Sequence, residues 1–199
     1  MKKKIILIIF MIPTILFGQK YSTLKIGEKL PMKNHSMINI DNNNHSLKEL
    51  VKDNGLLIIF SCNSCPFVVM WEDRYKELED KCSKNNIGMA YINSNHAKRN
   101  GDDSFKEMKE HSKKMNYNYP YLLDEKSIIA NAFGAKTTPH IFLFNNNLEL
   151  VYSGAIDDNY KSIKKVKEKY LINAIDQLIN NKEIIIKNTK AVGCSIKRK

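Results

Sequence analysis

Cys62 and Cys65 are separated by Asn63 and Ser64 in the stretch "IIFSCNSCPFVVMWEDRYKELEDKC". An apolar run ends at Phe60 just before them, and Pro66 follows directly. Two thiols with this spacing, at the junction of a strand and a helix, can interconvert between dithiol and disulfide. Pro66 suits the first turn of a helix, where its missing N–H has no partner to lose. Val68, Trp71, Tyr75 and Leu78 continue as an apolar stripe whose backward extension lands on Cys65. The stripe predicts that Cys65 faces inward and Cys62 outward. A thiol beside free helix N–H groups has its pKa lowered from about 8.5 to roughly 3.5–7.5. Cys62 therefore reads as an exposed attacking thiolate, Cys65 as the resolving thiol, and Cys62–Cys65 as a reversible disulfide. A purely structural bond at this spacing would close a very short loop and constrain the unfolded chain little. Zinc would need further ligands. There is no second C-x-x-C, and the five histidines stand singly, so neither a metal site nor a cofactor is expected.

The remaining cysteines read differently. Cys82 extends the same stripe, roughly 25 Å down the helix from Cys65 at about 1.5 Å per residue. A disulfide needs Cα atoms within about 7 Å, so Cys82 is expected as a buried apolar side chain. Cys194, in "AVGCSIK", is either an unpaired thiol in the tail or a third redox cysteine folded back to the site. In "TTPHIFLF", Pro139 opens a strand. A cis Thr138–Pro139 bond would present the Thr138 backbone to a ligand, and a trans proline at an edge-strand start fits the residues equally well. His140 could supply a ligand but reads as an ordinary strand residue. His35, His45, His96 and His111 fall in polar or loop contexts and are assigned no role.

These residues need elements to hold them. "MINIDNNNHSL" reads as a strand and an asparagine turn, and "SLKELVKDNG" as a short helix with Ser46 and Glu49 as a capping box. "LLIIF" and "IGMAYIN" are continuous apolar runs, as expected of strands buried on both faces. Between and after them lie a helix capped by Ser104 and Glu107, the strand "YPYLLD", the helix "KSIIANAFG" and two strands around an asparagine turn. A last helix is expected over residues 162–180. Alternating strands and helices call for an α/β fold: a mainly parallel sheet, helices on both faces, and an antiparallel hairpin near the C-terminal side.

The first residues, "MKKKIILIIFMIPTILFGQK", place lysines before an apolar run that is short for a bilayer span. They read as a signal peptide over residues 1–18, with the folded domain at 19–199 and an uncleaved anchor as the alternative. The expected location is periplasmic or secreted, where disulfides persist. The net charge of +11 is spread along the chain without a basic stripe, so no nucleic-acid partner is expected, and no membrane contact once the leader is removed.

"FSCNSCPF", "DDSFKEMKE", "YPYLLDE", "GAKTTPHIFLF", "GAIDDN" and "GCSIK" together resemble the thioredoxin superfamily. More narrowly they resemble its extracytoplasmic redoxin branch, within the alkyl hydroperoxide reductase and thiol-specific antioxidant group. The resemblance implies a thioredoxin-like fold, Cys62 and Cys65 as the redox pair, and Pro139 as a cis-proline facing it. It also keeps Cys194 in view, because "GCSIK" looks like a recurring ending of the branch. The chain departs from the pattern in several places. Ser61 stands where thioredoxins usually carry tryptophan, and Asn63-Ser64 stand where they carry Gly-Pro. Leu56 falls where they bury an aspartate. Glu72 and Asp73, two turns past Cys65, are expected to be solvated. Neither motif cysteine has threonine or serine three residues before it, as the peroxidatic cysteine of typical peroxiredoxins does.

The sequence thus reads as a thiol–disulfide oxidoreductase acting on protein thiols or disulfides, with a protein electron donor or acceptor. A thiol peroxidase is the first alternative. A copper- or haem-handling binding protein of the same fold is the second, disfavoured because such chaperones space their cysteines C-x-x-x-C.

Overall fold

The structure, a computed structural model, describes residues 21–199. The expected leader lies outside these residues. In chain order the strands are β1 (Ser36–Asn39), β2 (Asn44–Ser46), β3 (Leu56–Ser61), β4 (Gly88–Asn93), β5 (Tyr121–Leu123), β6 (Thr137–Thr138), β7 (His140–Phe144), β8 (Leu150–Gly154) and β9 (Cys194–Ser195). The helices are α1 (Pro66–Trp71), α2 (Tyr75–Lys84), α3 (Phe105–Met115), α4 (Ile128–Phe133) and α5 (Tyr170–Ile179).

One sheet has the order β2-β1-β5-β4-β3-β7-β8. Its centre, β5-β4-β3, is parallel. The expected C-terminal hairpin, β7–β8, continues it antiparallel on one side. The hairpin β1–β2 adds antiparallel strands on the other. A separate ladder joins β6 to β9.

Every residue of β3 and β4 is buried, because both faces of the sheet are covered. Leu57, Ile59, Met89 and Tyr91 alternate onto one face, against Trp71, Tyr75, Leu78 and Cys82 and against Leu171 and Ile175 of α5. Leu56, Ile58, Phe60, Ala90 and Ile92 fill the other, against Ile129, Ala130 and Phe133 of α4. Period-two alternation with both sides apolar is what a central parallel strand requires. Truncating a residue such as Ile58 to alanine would cost about 2–5 kcal/mol. Gly55 turns the chain into β3 at φ +116°, where a Cβ would lie 2.0 Å from the Phe144 carbonyl oxygen.

Local sequence signals explain several boundaries. The Ser104 hydroxyl accepts the Glu107 N–H and starts α3 as expected, and the Glu49 carboxylate accepts the Ser46 N–H at 2.7 Å. Two expectations need correction. The helix after Cys65 is not continuous: a 3-10 turn at Glu72–Arg74 separates α1 from α2. The final helix is shorter than 162–180. It begins at Tyr170, and only an isolated 3-10 turn at Ile163–Lys165 precedes it, in a lysine-rich stretch with no apolar stripe to bury. Among the described residues no helix is long and apolar enough to cross a membrane.

Candidate active site

The parallel strands β3, β4 and β5 end together, and ligand chemistry in α/β sheets gathers outside such carboxyl ends. Cys62 follows the last residue of β3, and Cys65 is the N-cap of α1 with extended backbone at φ −73°, ψ 122°. Across from them stands the Thr138–Pro139 peptide, which is cis, as the resemblance implied. The Cys62 sulfur lies 3.2 Å from the Thr138 hydroxyl. The Cys65 sulfur lies 3.5 Å from the Thr138 carbonyl oxygen.

The disulfide is not the expected one. Cys65 is bonded to Cys194, with Cα atoms 6.3 Å apart, and Cys62 is a free thiol. What brings Cys194 here is β9. It pairs antiparallel with β6 and sets Cys194 opposite Thr138. Gly193 makes the approach possible, since a Cβ there would lie 2.2 Å from the Thr138 carbonyl oxygen. The indole N–H of Trp71 donates to the Val192 carbonyl at 3.1 Å. Beyond the cysteine, the Ile196 N–H donates to the Lys136 carbonyl at 3.0 Å, and the Ile196 side chain is buried among the residues packed on α4.

The outward, exposed Cys62 of the sequence reading is corrected as well. Cys62 is fully buried and Cys65 nearly so, at 0% and 6% exposure. The stripe from Val68 to Cys82 is buried as expected, but helix phase says nothing about cover supplied from β6 and β9. Burial pushes the Cys62 thiol up from 9.0 to about 11, and the nearby Asp103 carboxylate adds to the rise. The Thr138 hydroxyl and the N–H groups of Cys65 and Ser64 act the other way without overcoming it. With this cover in place Cys62 is a protonated thiol at neutral pH.

Asp103 was not singled out from sequence. It is fully buried. It accepts the Asn63 backbone N–H at 2.9 Å, the Asn93 side-chain amide at 2.8 Å and the Asn95 amide at 2.9 Å. The Tyr121 hydroxyl donates to the Asn63 side-chain oxygen at 2.8 Å. Asn63, between the two cysteines, is thus pinned from β5 and from the turn before α3. Arg99 donates to the Asn93 side chain and to the Asp103 carbonyl in the same cluster. Asn95 in turn accepts the Lys197 N–H at 2.9 Å, so one polar network touches both the cysteine loop and the segment beyond β9. The only trace of it in sequence was polar residues clustered after a buried strand and before a helix cap.

Other side chains are placed as follows. Cys82 is free and buried, as expected. Glu72 is not solvated: it is buried and accepts from the Tyr117 hydroxyl, with His111 alongside. Asp73 does stay half-exposed. His140 is buried in β7 over Phe142, and burial pushes it down from 6.5 to about 4, so it is neutral. Among the described residues no group of three His, Cys, Asp or Glu side chains converges on a point that could hold a metal ion.

Comparisons with known proteins bear on the family and the fold. Residues 26–153 match the AhpC/TSA family. A conserved protein of Geobacillus kaustophilus described as uncharacterized has a similar structure, with 30% identity and a TM-score of 0.82, over 88% of this chain and 93% of that one. A hypothetical protein of Sinorhizobium meliloti is 27% identical with a TM-score of 0.81, over 89% and 97% of the two chains. The peroxidoxin BcpB of Mycobacterium tuberculosis shares the thioredoxin-like fold at 12% identity and a TM-score of 0.58, over 79% and 95%. No curated protein matches the chain.

Proposed function

The chain belongs to the AhpC/TSA family, and we propose that within this thioredoxin-like group it is a thiol–disulfide oxidoreductase working on protein disulfides or thiols through Cys62 and Cys65. The observation that carries the reading is the convergence of three cysteines on the cis Thr138–Pro139 turn, two of them already joined as a disulfide. In the reductive direction the Cys62 thiolate attacks a substrate disulfide, and one substrate sulfur leaves as a thiolate. Cys65 then attacks the Cys62 sulfur of the mixed disulfide, and the second substrate thiolate leaves. The same steps reversed oxidise a substrate dithiol. Thr138 contacts both motif sulfurs and orients them.

A protein substrate is favoured by the surroundings. Val69 and Met70 of α1 are exposed, and Val69 lies one turn from Cys65, apolar side chains that a docked protein substrate would cover. A peroxidase would use the same Cys62 thiolate on a small peroxide, but neither motif cysteine has the threonine or serine three residues before it that the peroxidatic cysteine of typical peroxiredoxins carries. We place the protein outside the cytoplasm, periplasmic or secreted, on the leader-like residues 1–18 and on the compartment in which a disulfide such as Cys65–Cys194 persists.

The test is a paired assay. The reduced protein is given a disulfide-bonded peptide with dithiothreitol as donor, and separately hydrogen peroxide with the same donor. Wild type should accelerate peptide reduction, Cys62→Ser should not, and peroxide consumption should stay at background. Fast peroxide consumption with the peptide untouched would replace this reading with the peroxidase.

A further inference from the structure

We propose that Cys194 is the third working cysteine of the site, taking the disulfide from the motif pair so that Cys65–Cys194 is the resting oxidised form and Cys62 is returned as a thiol. This rests on the oxidoreductase reading above and adds a step to it. The step is a thiol–disulfide exchange with no net oxidation: the Cys194 thiolate attacks the Cys65 sulfur of a Cys62–Cys65 disulfide. The Sγ–Sγ bond to Cys62 breaks, the Cys65–Cys194 bond forms, and the Cys62 thiolate leaves and takes up a proton. An external dithiol then reduces Cys65–Cys194 and restores three thiols.

The geometry supplies what the step needs. The sulfurs of Cys62 and Cys65 both lie against Thr138, at 3.2 and 3.5 Å from its hydroxyl and carbonyl oxygens. Cys194 is held opposite the same residue by the β6–β9 ladder. Cys65 is bonded to Cys194 and lies in one cluster with Cys62. β9 is seated on both sides of Cys194 by contacts that the disulfide does not explain. Val192 is bonded by Trp71, Ile196 is buried and bonded to Lys136, and Lys197 reaches Asn95. A strand merely tethered by a disulfide would need none of these.

Closure of the site slows the reverse attack. For the step to reverse, Cys62 must attack Cys65 as a thiolate, and once Cys62 is buried against Thr138 with Cys194 packed on the same cluster, burial and the Asp103 charge keep it protonated at neutral pH. The returned Cys62 therefore stays covered until the Cys65–Cys194 bond is reduced and β9 loses that covalent tether.

The experiment follows the linkages in time. Fully reduced full-chain protein is mixed with a disulfide-bonded peptide without donor, quenched in acid at intervals, alkylated and mapped by mass spectrometry. Wild type should show Cys62–Cys65 first, then Cys65–Cys194 with Cys62 alkylated. Cys194→Ser should stop at Cys62–Cys65, and Cys62→Ser should keep Cys65 and Cys194 reduced. Gly193→Ala, which keeps all four cysteines but crowds Thr138, should slow the second stage. Wild type that reduces the peptide but ends as Cys62–Cys65 would overturn the relay and leave the oxidoreductase reading standing. Cys65–Cys194 forming as fast in Cys62→Ser as in wild type would make that bond a structural one. A peptide left intact by wild type would overturn both.

Discussion

Gly193 lies against Thr138 so closely that a Cβ on it would come within 2.2 Å of the Thr138 carbonyl oxygen. The strand that this approach seats carries Cys194, which packs against the cluster of Cys62, Cys65 and Val68. Gly193→Ala should therefore loosen β9 and uncover Cys62 without touching the core. In the oxidised folded protein, iodoacetamide should label Cys62 in Gly193→Ala and leave it unlabelled in wild type. Equal resistance in both would mean that β9 does not provide the cover.

Trp71 is the single tryptophan, and its indole N–H is bonded to Val192, just before β9. Its fluorescence should report whether β9 is seated. Reduction of Cys65–Cys194 should shift the emission to the red as the indole gains access to water. Cys194→Ser should show little change between its oxidised and reduced forms.

Asp103→Asn removes the charge that helps to hold Cys62 at about 11, so the thiol should titrate at lower pH by ultraviolet thiolate absorbance. Asp103 accepts from Asn63, Asn93 and Asn95. An asparagine must turn an amide towards at least one of these donors, at a cost of about 1–3 kcal/mol in stability. A Cys62 titration unmoved in Asp103→Asn would show that burial alone raises it.

His140 gives a pH dependence with a definite sign. Its folded pKa is depressed from 6.5 to about 4. As pH falls below 6.5 the unfolded chain takes up a proton that the folded one refuses, so stability present above 6.5 is lost on the way to about 4. The loss is at most about 3.5 kcal/mol. The melting temperature of wild type should fall across this window, and that of His140→Gln should fall less. Identical slopes would assign the acid sensitivity elsewhere.

The parts of the site visible in sequence are those written in contiguous residues. Cys62 and Cys65 at a strand-to-helix junction, the Ser104 cap and the burial of Cys82 all follow from local pattern. The cis state of Thr138–Pro139 was not decided by the residues, which allowed either isomer, and came from the resemblance. The pairing of the parallel sheet and of the β7–β8 hairpin was legible, because each of those strands carries its own apolar run. What was missed is the β6–β9 ladder that sets Thr138 and Cys194 against the motif cysteines: its strands are remote in the chain, and a two-residue strand carries no periodicity to announce it. Glu72 looked solvated because helix position alone does not show that Tyr117 and His111 converge on it. Asp103 looked like an ordinary acidic residue ahead of a helix, because its three donors lie on the cysteine loop, at the end of β4 and just after it.

The most direct measurement of the central claim is to trap the mixed disulfide. Replacing both resolving cysteines, as Cys65→Ser with Cys194→Ser, leaves Cys62 able to attack but nothing to release the product. Expressed as the full chain in a cell envelope and quenched in acid, this variant should accumulate protein adducts that dissolve on reduction and map to Cys62. The same variant with Cys62→Ser added should accumulate none. A Cys62 found as sulfenic acid or its overoxidised forms, with no protein adducts, would contradict the account and assign the site to peroxide chemistry instead.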